Sequence, residues 1–143
     1  MEPTWLIFRH SDNSCAGEGY YENIGEEFYA LFTAKRFRTT FRNIDNTLST
    51  KELDPRIASV KEAQEILIAH TKHVCGINIL KQYPHHKQFN VINQLGYTEA
   101  DKKAMISFMM DCREECNKEI SRIERITDHN KLIKYVPTKP KGA

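Results

Sequence analysis

"TEADKKAMISFMMDCREECNKEISRIERITD", residues 98–128, decides the fold. It opens on Thr98 with Asp101 in the position of a capping box, where hydroxyl and carboxylate satisfy backbone N–H groups that a helix start leaves free. Met105, Met109, Cys112, Cys116, Ile120, Ile123 and Ile126 then recur three or four residues apart, one apolar stripe of a single helix. Run to Asp128, that helix is roughly 45 Å long at 1.5 Å per residue, longer than a small domain is wide. It needs cover along its whole apolar side. The spacing therefore predicts an antiparallel helical hairpin or bundle, or packing against other chains.

The partner helix lies upstream. Asp54 before Pro55 suits an N-cap followed by proline at the first helical position, and Ser59 with Glu62 is a second start of capping-box spacing. Val60, Ala63, Leu67, His70, Val74 and Ile77 form its stripe, and Pro84 ends it by about Tyr83. In "YPHHKQFN" (83–90) a short second helix begins, with His85 and His86 in its first turn as surface residues. Phe89, Ile92 and Leu95 are its expected inward residues, and Gly96 its stop.

Residues 4–50 read as β structure. "TWLIFRH" is a short apolar strand followed by a polar loop. Phe28, Ala30 and Phe32 share one face of a second strand. In "RFRTTFR", Phe37, Thr39 and Phe41 face one way, and Arg36, Arg38, Thr40 and Arg42 the other. The short "TAK" link predicts a hairpin between these two runs, hence a three-stranded meander. Three strands are about the minimum for independent stability, so the helices must supply cover. Residues 43–55, rich in Asn, Asp, Ser and Thr, read as a linker.

The fold class expected is α+β: an N-terminal antiparallel β-meander (1–50), a helical hairpin or bundle packed on it with one long C-terminal helix (51–130), and an extended arm (131–143). The arm has little apolar surface, so it is expected to order only on a neighbour.

Composition narrows the classes. In 143 residues, 21 Lys and Arg against 19 Asp and Glu leave a net charge of +2, which gives no general attraction to nucleic acid or membrane. The N-terminus lacks the pattern of a signal peptide, and no run is apolar enough to span a bilayer. Cys15, Cys75, Cys112 and Cys116 then read as reduced thiols.

His70, His73 and Cys75 are close in sequence, and Cys112 and Cys116 sit one helical turn apart, but neither spacing is that of a structural zinc knuckle. Both Cys112 and Cys116 lie on an apolar stripe, where free cysteine behaves as a small hydrophobe. His70 lies on a stripe too and reads as a hydrogen-bonded core histidine. Glu26 and Glu27 fall on opposite faces of a strand, so they do not form a carboxylate pair. No nucleophile elbow, phosphate-cradling loop or His-Glu-x-x-His is present. No catalytic, cofactor or metal residue is assigned. Arg36, Arg38 and Arg42 form a basic strand face, but alternation sets the phenylalanines opposite, so one face does not offer both phosphate contacts and stacking. The face reads first as a charged solvent face over an aromatic core, and the same arginines equally suit an acidic surface on a protein partner.

Tyr83-Pro84, Lys87-Gln88, Asn90, Gly96-Tyr97-Thr98, Asp101, Met105 and the charged helix to Ile126 together resemble a helical module of tailed-bacteriophage structural proteins. The resemblance covers residues 60–126. It implies a structural subunit of a virion, in the tail, tail-fibre or baseplate region, synthesised in the host cytoplasm. It would act without catalysis or cofactor, by oligomeric assembly with other virion proteins. The alternative is a phage nucleic-acid-binding or assembly-chaperone protein absent from the virion. The interaction residues expected are Arg36, Arg38 and Arg42 on the strand, Ile120, Ile123 and Ile126 at the end of the long helix, and Tyr135 and Val136 in the arm.

Overall fold

The computed structural model of the protein describes residues 2–142. It is α+β, with antiparallel strands first and helices after. Strands β1 (Thr4–Arg9), β2 (Cys15–Glu18) and β3 (Phe28–Thr33) form one sheet in the order β2-β1-β3. Strands β4 (Phe37–Arg42) and β5 (Leu48–Leu53) form a separate two-stranded ribbon. Helices α1 (Val60–Gln82), α2 (His85–Ile92), α3 (Glu99–Arg125) and α4 (His129–Lys134) follow.

The strand pairing differs from the expected meander. β3 pairs with β1, through Leu6–Leu31 and Phe8–Tyr29, and not with β4. Between β3 and β4 the chain turns where the Lys35 N–H donates to the Thr33 hydroxyl at 3.0 Å. β4 pairs instead with β5, inside the stretch read as a linker. Its Asn- and Asp-rich character serves a turn. Asn43 N–H donates to the Thr47 carbonyl at 2.8 Å, Asp45 accepts from the Thr47 N–H at 3.1 Å, and Asn46 takes the left-handed conformation at φ 70°. β2 likewise emerges from what read as a loop.

Both helix starts read from the sequence are present. The Asp54 carboxylate accepts from the Arg56 N–H and caps a short 3₁₀ turn at Pro55–Ile57, and the Ser59 hydroxyl accepts from Glu62 N–H and caps α1. Thr98 and Asp101 form the full capping box of α3. α1 and α3 run antiparallel, with Tyr83 beside Phe108 at 5.5 Å between ring centroids and Gln64 donating to the Ile126 carbonyl at 2.8 Å.

The core sits where the sheet meets one end of this hairpin. Leu6, Phe8, Tyr29 and Leu31 from the sheet pack on Ala63, Ile66 and Leu67 of α1, with Ile123 of α3 and Leu132 of α4 completing it. The buried side of β3 is thus Tyr29, Leu31 and Thr33, not Phe28, Ala30 and Phe32. Phe32 is nonetheless half-buried, because its ring stacks on His73 at 3.6 Å on the other face. Glu26 and Glu27 lie exposed in the turn before β3 rather than within a strand.

The C-terminal segment is not free. α4 buries Leu132, and beyond it Pro137 and Pro140 are buried against the body of the same chain. The arm holds itself, contrary to the expectation from its composition, through backbone groups that buried polar side chains of α1 and the 3₁₀ turn grasp directly.

Candidate interaction surfaces

Two buried polar clusters fix the arm. The Arg56 guanidinium, 1 % exposed, donates to both carboxylate oxygens of Asp54, with the shortest contact 2.8 Å, and through Nη1 to the carbonyls of Leu132 at 2.9 Å and Tyr135 at 2.6 Å. Tyr29 donates its hydroxyl to the same carboxylate at 2.6 Å, and burial followed by the Asp54 charge pushes that phenol well above its usual pKa. Such a pair is stable only when its remaining polar atoms are satisfied. No buried side-chain nitrogen or oxygen among the described residues lacks a partner.

His70 forms the second cluster. Its Nδ1 accepts from the Phe32 N–H at 2.9 Å, and its Nε2 lies 2.7 Å from the Thr138 carbonyl. An N–H can only donate and a carbonyl only accept, so the ring is neutral with its proton on Nε2. Burial lowers its pKa to about 4. This is the hydrogen-bonded core histidine that the α1 stripe indicated, and it covers the open edge of β3. Further along, Lys141 N–H donates to Asn78 Oδ1 at 2.8 Å, and the Lys81 ammonium donates to the Lys141 carbonyl at 3.0 Å.

These contacts redistribute the expected interaction residues. Ile123 is fully buried in the core, and Ile120 and Ile126 are partly covered by their own chain. Ile123 is therefore no docking residue; the sheet, α1 and α4 seal that end of the helix. Tyr135 is tied to Glu119 through its hydroxyl, and burial and then the carboxylate raise its pKa to about 12. Val136 remains 61 % exposed.

The apolar surface left open is at the opposite end of the hairpin. Phe89, Ile92 and Leu95 of the α2 segment, expected inward, are more than half exposed, and Val91 is the residue α2 buries. Ile106 and Met110, four apart on α3, and Leu80 near the end of α1 are exposed as well. α3, about 40 Å long by its 27 residues, reaches past the sheet, which covers only the half nearer Ile123. The long helix does lack cover, but at its N-terminal rather than its C-terminal half. One signal of this is legible in the sequence: Ile106 and Met110 make a second apolar line beside the Met105–Met109 stripe.

On the ribbon, Arg36 is engaged by Glu52 and by Glu18, the latter at 2.8 Å, so it ties β4 to β5 and β2. Arg38 is exposed, and Arg42 donates to Asn46 Oδ1 at 2.8 Å in its own turn. Phe41, Ile44 and Leu48 are exposed toward the ribbon's tip.

The cysteines meet between α1 and α3. Cys75, Cys112 and Cys116 line a cavity of about 240 Å³, and the Cys75 thiol donates to the Cys112 carbonyl at 3.5 Å. Burial raises the pKa of Cys75 and of Cys112, which keeps both protonated. Among the described residues, no group of three or more His, Cys, Asp or Glu is arranged to hold a metal ion. His85 and His86 are exposed in the first turn of α2, as read. None of the described helices is long and apolar enough to cross a membrane. No protein-family model, curated protein or solved structure matches the chain.

Proposed function

We propose that the protein is a non-catalytic assembly subunit that docks on another protein through the outer end of its helical hairpin. The observation that carries this reading is the exposure of Phe89, Ile92, Leu95, Ile106 and Met110 at that end, in a chain that buries Ile123, Leu132 and even Arg56 at the other. Large apolar side chains each contribute on the order of 1.5–3 kcal/mol when buried, and extensive apolar surface on a soluble chain marks a contact face.

The particular form proposed is a structural subunit of a bacteriophage virion, in the tail, baseplate or tail-fibre region, with other virion proteins as its partners. The phage-like pattern supports it, since residues 60–126 contain the exposed end of the hairpin. Protein and peptide quantification in purified particles tests it. Many copies per particle are expected, and absence from the particle would overturn it in favour of an intracellular nucleic-acid-binding or assembly-chaperone role. Arg38, exposed on β4 and without a direct ion pair among the described residues although Glu52 lies across the ladder from it, favours that second reading. A complex with DNA or RNA that weakens steeply with salt, and is lost in Arg38→Ser, would carry it.

A further inference from the structure

The β4–β5 ribbon stands apart from the main sheet. Its ties to the body are at its base, where Leu53 bridges to Ser14, Lys51 meets Asp12 at 3.0 Å, and Arg36 reaches Glu18. A two-stranded ribbon is marginal alone. β5 lies beside β2 and the residue 12–14 turn, whereas β4 has no backbone partner on its other side among the described residues.

The ladder's parity fixes what that side offers. Asn43 N–H donates to the Thr47 carbonyl, so Asn43 bonds toward β5, and with it every second residue back along the strand: Phe41, Thr39 and Phe37. Arg38 and Thr40 therefore turn their N–H and C=O groups outward, away from β5. The edge is a row of unused donors and acceptors, the arrangement that invites another strand.

We infer that β4 pairs antiparallel with β4 of a second copy, across a two-fold axis at Thr39, to make a four-stranded sheet β5-β4-β4-β5. The sequence of β4, "FRTTFR", is what selects a second copy as the occupant. In a two-fold pairing with the axis normal to the sheet, residues opposite one another come from the same face, so the axis passes at a residue. With the axis at Thr39, Phe37 of one copy faces Phe41 of the other, twice, in non-hydrogen-bonded pairs where side chains approach most closely. Arg38 and Thr40 of opposite copies exchange backbone bonds, about four in all. The neighbouring register, with the axis at Thr40, sets Arg38 against Arg42 of the other copy and leaves Phe37 facing Asn43. In the Thr39 register Arg36 of one copy likewise stands opposite Arg42 of the other, although Arg36 is held by Glu18 and Glu52. Charge therefore does not separate the two registers, and the aromatic pairs choose between them.

Proline scanning and a register-specific crosslink test this. The Thr40 N–H points outward, so Thr40→Pro removes an intermolecular donor and leaves the ribbon's own ladder intact. In light scattering coupled to gel filtration, the wild-type chain should show a concentration-dependent dimer, and Thr40→Pro should raise its dissociation constant at least tenfold with an unchanged circular dichroism spectrum. Under mild oxidation Thr39→Cys should give a homodimer whose tryptic peptide over residues 39–42 is linked to itself, and Thr40→Cys should give far less. A wild-type chain monomeric at every concentration overturns the inference, as does a Thr40→Pro dimer of wild-type affinity or a crosslink preferring Cys at position 40. A dimer that dissociates on changing Phe89 and Met110 to Asp, with no Thr39→Cys crosslink, also overturns it, since the second copy would then dock on the helices.

Discussion

Acid should weaken this protein through one histidine. His70 is neutral in the fold, its Nδ1 lone pair occupied by the Phe32 N–H and its Nε2 proton by the Thr138 carbonyl. Protonating Nδ1 sets a donor against a donor and brings a charge into an apolar site beside Trp5, whose ring centroid is 5.5 Å away. Its pKa is about 4 in the fold against 6.5 for the free side chain. Because the folded value is the lower, the unfolded chain takes the proton first. The stabilisation is complete above about pH 7 and is lost as pH falls from 6.5 through 4. At about 1.4 kcal/mol per pKa unit the full loss is roughly 3 kcal/mol, of which about 2 should appear by pH 5. The groups facing the ring include Arg56, whose charge lowers the pKa further, and His73. Burial lowers the His73 pKa too, so it titrates in the same direction. Urea unfolding at pH 7.5 and pH 5 should therefore be run on the wild type and on His70→Gln. The variant, with its weaker hydrogen bonds, should be less stable at pH 7.5 by about 1–3 kcal/mol, and the two curves should converge toward pH 5. Equal pH dependence in both would refute the argument, because the acid sensitivity would then belong to other groups.

Arg56→Met leaves the Asp54 carboxylate buried without its partner and should destabilise by about 3–5 kcal/mol, read by chemical denaturation. Proteolysis should then begin in the segment after Lys134, because the same guanidinium holds the carbonyls of Leu132 and Tyr135. Leu132→Ala, at a fully buried core position, should cost about 2–5 kcal/mol and release the arm to hydrogen exchange. Replacing Cys112 and Cys116 together by Ala should lower the melting temperature through lost packing, with no change in metal content by elemental analysis. Stoichiometric zinc in protein purified without added metal would contradict that packing role.

Periodicity and capping made the helices legible. Ser59, Thr98 with Asp101, and Pro84 set boundaries that the fold keeps within a few residues, because those signals act locally. Strand pairing was less legible. β3 and β4 are each good strands joined by a short link, and nothing local reveals that β3 finds a better partner in β1. The Asn-Asp turn at residues 43–47 was the available clue: left-handed Asn46 and the Asp45 side chain make a tight reversal, not a linker. The arm was misjudged for a different reason. Its composition is poor in apolar groups, but it is held by its backbone carbonyls, which every sequence possesses. Their partners, Arg56 and His70, are nearly 70 or more residues away along the chain. The exposed end of the hairpin was misread, because Phe89, Ile92 and Leu95 recur at three-residue spacing and so read as one inward face, whereas α2 buries Val91 instead.

The claim that the outer end of the hairpin is a docking face is tested most directly by Phe89→Asp with Met110→Asp. Both side chains are 62 % exposed, so the pair should change unfolding free energy by less than about 1 kcal/mol. Particles assembled with the variant in place of the wild type should then carry at least tenfold fewer copies of it, counted by quantitative mass spectrometry. Incorporation at the wild-type level by an equally stable variant would contradict the account.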